Sequence, residues 1–153
     1  MNKFYENTEG QLFVDPILAN HVGLTEITQK QFNEKLAELN KSTTDQLLQQ
    51  LTQARKEQER QGVTINDVRY GGEPENRQAL QESIAFMNDA GLTEFEKFKD
   101  SDNVFHVDLP VSEVFNAYRA VGMRRVQLIS AEGDYAEQII TGTLTDLTQV
   151  TWP

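Results

Sequence analysis

The stretch Gly62–Gln81, GVTINDVRYGGEPENRQALQ, decides how this chain is read. Val63 and Ile65 alternate with Thr64, and Val68 and Tyr70 alternate with Arg69, the period-2 pattern of two short strands. Asn66-Asp67 between them is a pair that tolerates the positive φ of a tight hairpin turn. Gly71-Gly72 break the second strand, and Glu73-Pro74-Glu75-Asn76 lead into a helix. The residues before this stretch are mostly polar helix, and those after it have the pattern of an α+β unit.

Downstream, Leu80, Ile84 and Met87 line a helix that stops at Gly91. Glu94–Lys99 and Val104–Leu109 read as a second hairpin around Asp100-Ser101-Asp102-Asn103, and Pro110 opens a helix. That helix is expected to be the longest, from Pro110 to about Thr141. Val111, Val114, Phe115, Tyr118, Val121, Val126, Ile129, Tyr135, Ile139 and Ile140 form one broad apolar stripe along it. Gly122 and Gly133 weaken it, with a kink or break expected near Gly133. Trp152, the only tryptophan, either docks back on the domain or meets a partner.

Upstream, Phe4-Tyr5 and Leu12–Val14 flank the turn residues Asn7-Thr8-Glu9-Gly10 and read as an N-terminal hairpin; Leu24–Ile27 is a third short strand. A two-stranded hairpin is marginal in water and needs something to lie against. Thr28 and Gln31 have capping-box spacing, and Phe32, Leu36 and Leu39 lie beyond them on one helix face. Asn40-Lys41-Ser42 interrupts, and a second helix runs from about Thr44 to Gln61 with Leu47, Leu48, Leu51 and Ala54 on one side. Its end, RKEQERQ (55–61), has no apolar residue and reads as a solvated arm. The fold class expected is α+β: an N-terminal hairpin and helix (1–41), a polar helical linker (42–61), and a domain of two short hairpins packed with two helices (62–153).

Composition bounds the function. The 153 residues suffice for one medium domain or two very small ones. The net charge of −10 is concentrated after residue 61 and repels phosphate backbones, so no nucleic-acid partner is expected. With no cysteine there is no disulfide and no thiolate metal site. No long apolar run and no signal-like N-terminus appear, so no membrane partner is expected, and the protein is expected in a cytoplasm.

Candidate chemistry is sparse. His21 and His106 are far apart, without metal-ligand spacing; His106 in its strand points opposite Phe105 and Val107, exposed or paired at the surface. Asp100, Asp102 and Asp108 invite a calcium reading, but the loop lacks the later glycine and terminal glutamate of an EF-hand and reads as turn chemistry. Gly71-Gly72 is followed by Glu73 and Glu75, which repel an anion. Arg119, Arg124 and Arg125 are the only basic concentration and read as a helix face pairing with acids. No catalytic residue, metal or cofactor is expected.

The ordered elements carry a resemblance. A GVTINDVRY-like hairpin, the helix start Asn76-Arg77-Gln78-Ala79-Leu80, KFKDSDNVFHVDLP (97–110), VSEVFNAYRAVGMRR (111–125) and GTLTDL (142–147) together resemble an uncharacterised domain family. That family is known in tailed-phage and prophage genes beside tail-fibre genes. The start, with Thr25-Glu26-Ile27-Thr28 and Phe32, is similar to tail-fibre assembly proteins, and the likeness stops after residue 40. The resemblance implies a non-catalytic accessory that binds a fibre, helps its chains trimerise and in some cases stays attached, acting in the host cytoplasm or on the virion tail. Its partner would be a tail fibre or another tail protein, and the alternative is a structural tail component such as an adaptor. Phe4, Tyr5, Leu12, Phe13 and Trp152 are the partner-binding candidates. An acidic decoy that mimics DNA is a third reading, motivated by the net charge alone.

Overall fold

A computed structural model describes residues 2–14 and 23–153. His21 lies outside the described residues. The chain forms two compact units, Met1–Gln46 and Leu47–Pro153.

In the first unit, β1 (Phe4–Asn7) pairs antiparallel with both β2 (Leu12–Val14) and β3 (Leu24–Ile27), giving the order β2-β1-β3. The expected hairpin therefore gains a third strand, and its first strand is the central one. Register puts Phe4 opposite Val14 and Ile27, on the face that meets the following helix: the Phe4 and Phe32 rings lie 4.9 Å apart. Lys35 Nζ reaches Glu6 Oε1 on the same face at 2.7 Å.

The helix α1 (Gln29–Gln61) starts at the expected reciprocal cap: Thr28 Oγ1 accepts from Gln31 N, and Thr28 N donates to Gln31 Oε1. It does not break at Asn40-Lys41-Ser42. None of those residues is Gly or Pro, and ordinary polar residues cost a helix only a few tenths of a kcal/mol each. The division between units falls inside this helix, at Gln46–Leu47, and not at Gln61–Gly62. Nor is 55–61 a solvated arm. Leu51 is buried with Ile139 and Leu144, and Arg55 and Glu59 are mostly buried in an ion pair with each other.

In the second unit, β4 (Val63–Ile65) and β5 (Val68–Tyr70) pair with Ile65 opposite Val68, so Asn66-Asp67 form a two-residue turn with φ of 49° and 63°. Gly71-Gly72 do more than end β5. A Cβ on Gly72 would strike the Glu59 carbonyl of α1, and the backbone can pass there only without one. The helix α2 (Pro74–Asp89) ends with Gly91 at φ 68° and Leu92 N donating to Met87 O, as its C-terminal glycine predicts.

A third hairpin pairs β6 (Glu94–Lys99) with β7 (Phe105–Pro110). Its faces depart from simple alternation. Phe95 and Phe98 both turn inward, and on β7 the inward residues are His106 and Leu109. Asp108, at φ 53°, re-aims the strand between them. Phe105 and Val107 therefore face solvent, each 67% exposed, and His106 takes the inner side. His106 thus points opposite Phe105 and Val107 and is paired, with Asp100, as expected, but on the inner side and not at the surface.

The helix α3 (Val111–Ile140) is unbroken through Gly122 and Gly133. Its inner face (Val114, Ala117, Val121) packs with Val68, Tyr70, Leu80, Ile84 and Leu109 in the main core. Its C-terminal half contributes Ile139 to a second cluster with Leu51 and Leu144. Among the described residues no helix is long and apolar enough to cross a membrane. The architecture is α+β, with short antiparallel hairpins and a long C-terminal helix.

Candidate functional site

One constellation of polar groups in the second unit gathers where the Lys99–Val104 turn meets β5. Asp100 is buried, with its residue 7% exposed, and its Oδ1 accepts from the N–H groups of Asp102 and Val104 at 2.9 Å. Its Oδ2 lies 2.9 Å from His106 Nε2. The hydrogen bond from His106 holds the carboxyl down at about 2; burial opposes that shift, and the turn N–H groups add to it. Ser101 ties the same turn to β5, since Ser101 N donates to Arg69 O and Gly71 N donates to Ser101 Oγ at 2.7 Å. Asp102 pairs with Arg69. Of the aspartates that suggested calcium, Asp100 and Asp102 are thus spent on the turn, and Asp108 lies in β7. Among the described residues no three carboxylate, histidine or cysteine groups converge to hold a metal ion.

Beside this turn lies a cleft of about 480 Å³, bordered by Tyr70, Asn76, Ser83, Phe98, Lys97 and Lys99. An Asp–His couple is half of a proton-transfer device, which needs a nucleophile on the free ring nitrogen. Among the described residues the His106 ring has Asp100 as its one hydrogen-bond partner. Asn76 Nδ2 is held by Glu73. The Tyr70 hydroxyl is buried, and burial, then the charges of Glu113 and Asp100, push it up to about 12. It stays protonated in the physiological range, and its buried oxygen has no hydrogen-bond partner among the described residues. The contacts that fasten the β6–β7 turn to β5 come from Ser101 and Asp102 at the edge of this cleft.

The arginines fall apart into separate roles. Arg55, Glu59 and Glu132, mostly buried, and the more exposed Arg125 form a network that fastens the end of α1 to α3. Arg55 Nε lies 2.6 Å from Glu132 Oε2, and Glu59 Oε1 lies 2.8 Å from Arg55 Nη1 and 3.1 Å from Arg125 Nε. Arg124 Nη1 donates to the Pro153 carbonyl. Arg119 lies over the Phe115 ring, 5.9 Å from its centroid.

The five partner-binding candidates do not form one site. Phe4 and Leu12 share the helix-facing side of the N-terminal sheet, while Tyr5 and Phe13 are cross-strand partners on the other side, and all four are half-buried. Trp152 belongs to the other unit, where it lies edge-on to Tyr135 with centroids 6.1 Å apart. The Tyr135 hydroxyl donates to the Thr151 carbonyl and accepts from Thr151 N, which closes the tail on α3. Of the two sequence readings for Trp152, docking on its own domain is the one found.

Sequence reasoning missed two exposed apolar surfaces. One is Val104, Phe105 and Val107 on the β6–β7 hairpin. The other is the outer side of α3, with Phe115, Met123, Val126, Ile129 and Ile140 all exposed. The width of the α3 stripe was the available signal. At about 100° per residue, Val126 and Ile129 cannot share a face with Ala117 and Leu128.

The sequence family places the chain that carries this geometry. Residues 43–151 match a domain family of unknown function, DUF4376, and the chain belongs to that family. The match begins inside α1, earlier than the residue 62 at which the resemblance starts. No curated protein and no solved structure matches the chain.

Proposed function

We propose that the protein is a non-catalytic assembly accessory for a phage tail fibre, a binding protein that lends surfaces to another polypeptide. The observation that carries this reading is the N-terminal sheet. Among the described residues it has three short strands, no fully buried side chain, and two outer strands that each pair on one side only. Such a sheet is extended and stabilised by a strand added at its edge, the β-augmentation mode of recognition. Half-buried Phe4, Tyr5, Leu12 and Phe13 would become core in that complex. The β7 strip of Phe105 and Val107 supplies a further apolar surface in the second unit. A tail fibre, as the partner, rests on the resemblance of the sequence.

Co-expression with the neighbouring fibre gene tests the proposal. The fibre should become soluble and trimeric in the presence of the protein, and Phe13→Asp should abolish the effect while leaving the second unit folded. A fibre equally soluble and trimeric alone would sink the assembly role. The alternative, a structural adaptor in the tail, is favoured by the division into two compact units. Stoichiometric copies in purified virions would select it, and absence from virions would select the transient helper.

A further inference from the structure

The outer side of α3 has a pattern that its own fold does not use. Phe115, Gly122, Val126, Ile129, Gly133 and Ile140 fall within an arc of about 60° at 100° per residue. The four large side chains among them are 40% to 67% exposed. A Cβ added at Gly122 or Gly133 would meet nothing within 4 Å, so packing within the chain does not require either glycine. Each nonetheless costs the helix roughly 1 kcal/mol relative to alanine. Glycines on a helix face let a second backbone come close.

The order of these residues reads the same in both directions. About a centre between Gln127 and Leu128, Phe115 mirrors Ile140, Gly122 mirrors Gly133, and Val126 mirrors Ile129. Arg119 mirrors Ala136, one residue short of Glu137, and Arg119 and Glu137 lie at the same angle on the helix. Among the described residues Arg119 stacks on Phe115, and Glu137's carboxylate has no partner. A two-fold axis across the centre inverts the helix direction and keeps each residue on its own lateral side. It therefore sets Arg119 of one copy beside Glu137 of the other, twice, and lays glycine against glycine between them.

We infer that the outer face of α3 is a self-association surface, on which a second copy of this chain pairs antiparallel. The occupant is selected by charge complementarity: Arg119 and Glu137, the cation and the anion on one side of the seam, neutralise each other only across this two-fold, while Arg125 on the other side is already paired with Glu59. The contact runs from Phe115 to Ile140, about 37 Å of helix. With four large apolar residues in the seam of each copy and Met123 at its flank, it is on the scale of the roughly 800 Å² per partner of a specific association. Ile140 of the second copy would reach the 390 Å³ cleft beside Phe115, lined by Asn88, Leu92, Thr93, Val111 and Ser112.

The test is the mass of the full chain in solution, by light scattering across a concentration series. The expected species is a dimer of the 17.4 kDa chain. Val126→Glu, at an exposed position, should weaken association roughly 100-fold or more by placing two unpaired charges at the centre. Its helix content should stay unchanged. Arg119→Glu alone should weaken it and Arg119→Glu with Glu137→Arg should restore it. Because the chain has no cysteine, orientation can be read by cross-linking. Arg119→Cys mixed with Glu137→Cys should form a disulfide-linked dimer, and neither should do so alone. A monomer at every concentration overturns the inference, as does a dimer unaffected by Val126→Glu. Cross-linking of Arg119→Cys with itself would mean a parallel pair and would overturn the antiparallel register.

Discussion

The Met1–Gln46 and Leu47–Pro153 units are built from the same kind of parts, short antiparallel strands against a helix, yet they bury very different amounts of side chain. In the first, no described residue is fully buried, and Leu36 and Leu39 on its helix are 41% and 50% exposed. In the second, Tyr70 and Val114 in the main core, Leu51 in the second cluster, and Leu128 on α3 are almost wholly out of water. Local pattern specified strands and a capped helix equally well in both. Long-range burial separates a unit that carries its own core from one whose apolar residues stay half in contact with solvent. Apolar area removed from water contributes about 25 cal/mol per Å². The second unit should therefore resist denaturant as an independent core, and the first should exchange its amide hydrogens much faster.

Truncations at matched residues break or confirm this contrast most directly. Leu128→Ala should cost about 2–5 kcal/mol, the transfer of a buried leucine plus the cavity it leaves. Leu36→Ala should cost within about 0.5 kcal/mol, as a surface change does. Urea midpoints of the two variants measure the difference. Comparable losses would mean that the first unit is buried in a way its exposure does not suggest.

Gly72→Ala should have the next largest effect. The added Cβ would collide with the Glu59 carbonyl, a backbone atom that cannot swing aside. A loss of roughly 1–3 kcal/mol is expected, typical of overpacking. Gly23→Ala in the first unit meets nothing within 4 Å, and its cost should come only from the positive φ of 85°.

The pH dependence of the second unit sharpens the picture at one group. Asp100 is held near 2 in the folded chain against an ordinary 3.8, chiefly by the His106 hydrogen bond. The folded state thus binds this proton less tightly than the unfolded state. The stabilisation is complete above about pH 4 and is lost as pH falls toward 2. Asp100→Asn should lower the denaturation midpoint at neutral pH and approach the wild-type curve near pH 2. A constant offset at all pH values would show that the carboxylate's charge is not what the turn uses.

These residues also show where the sequence could be read and where it could not. Asn66-Asp67, the Thr28–Gln31 cap and the Gly91 stop each rest on chemistry within a few residues, and all were legible. The continuity of α1 was not, because a polar run such as Asn40-Lys41-Ser42 does not by itself break a helix. The inward turn of His106 was hidden because it depends on the φ of 53° at Asp108, which no side chain there announces. The α3 stripe was legible as apolar but not as two faces, since only packing shows which half of a wide stripe meets the core. Of the binding candidates, Trp152 could be placed only once Tyr135 was seen beneath it, and the exposed outer face of α3 was missed altogether.

The smallest effect expected lies in the first unit, at the Lys35–Glu6 pair. Its atoms are 2.7 Å apart, with side chains 44% and 23% exposed. Exposed pairs gain little because water screens them and two long side chains must be ordered. A double-mutant cycle of Lys35→Ala and Glu6→Ala should return a coupling of about 0.2–1 kcal/mol, read from β1–β3 amide exchange. In 1 M salt, where the screening length is about 3 Å, it should vanish. A coupling that survived high salt and exceeded about 2 kcal/mol would require a dry contact between sheet and helix. It would also place a true core in the unit where the described side chains leave none.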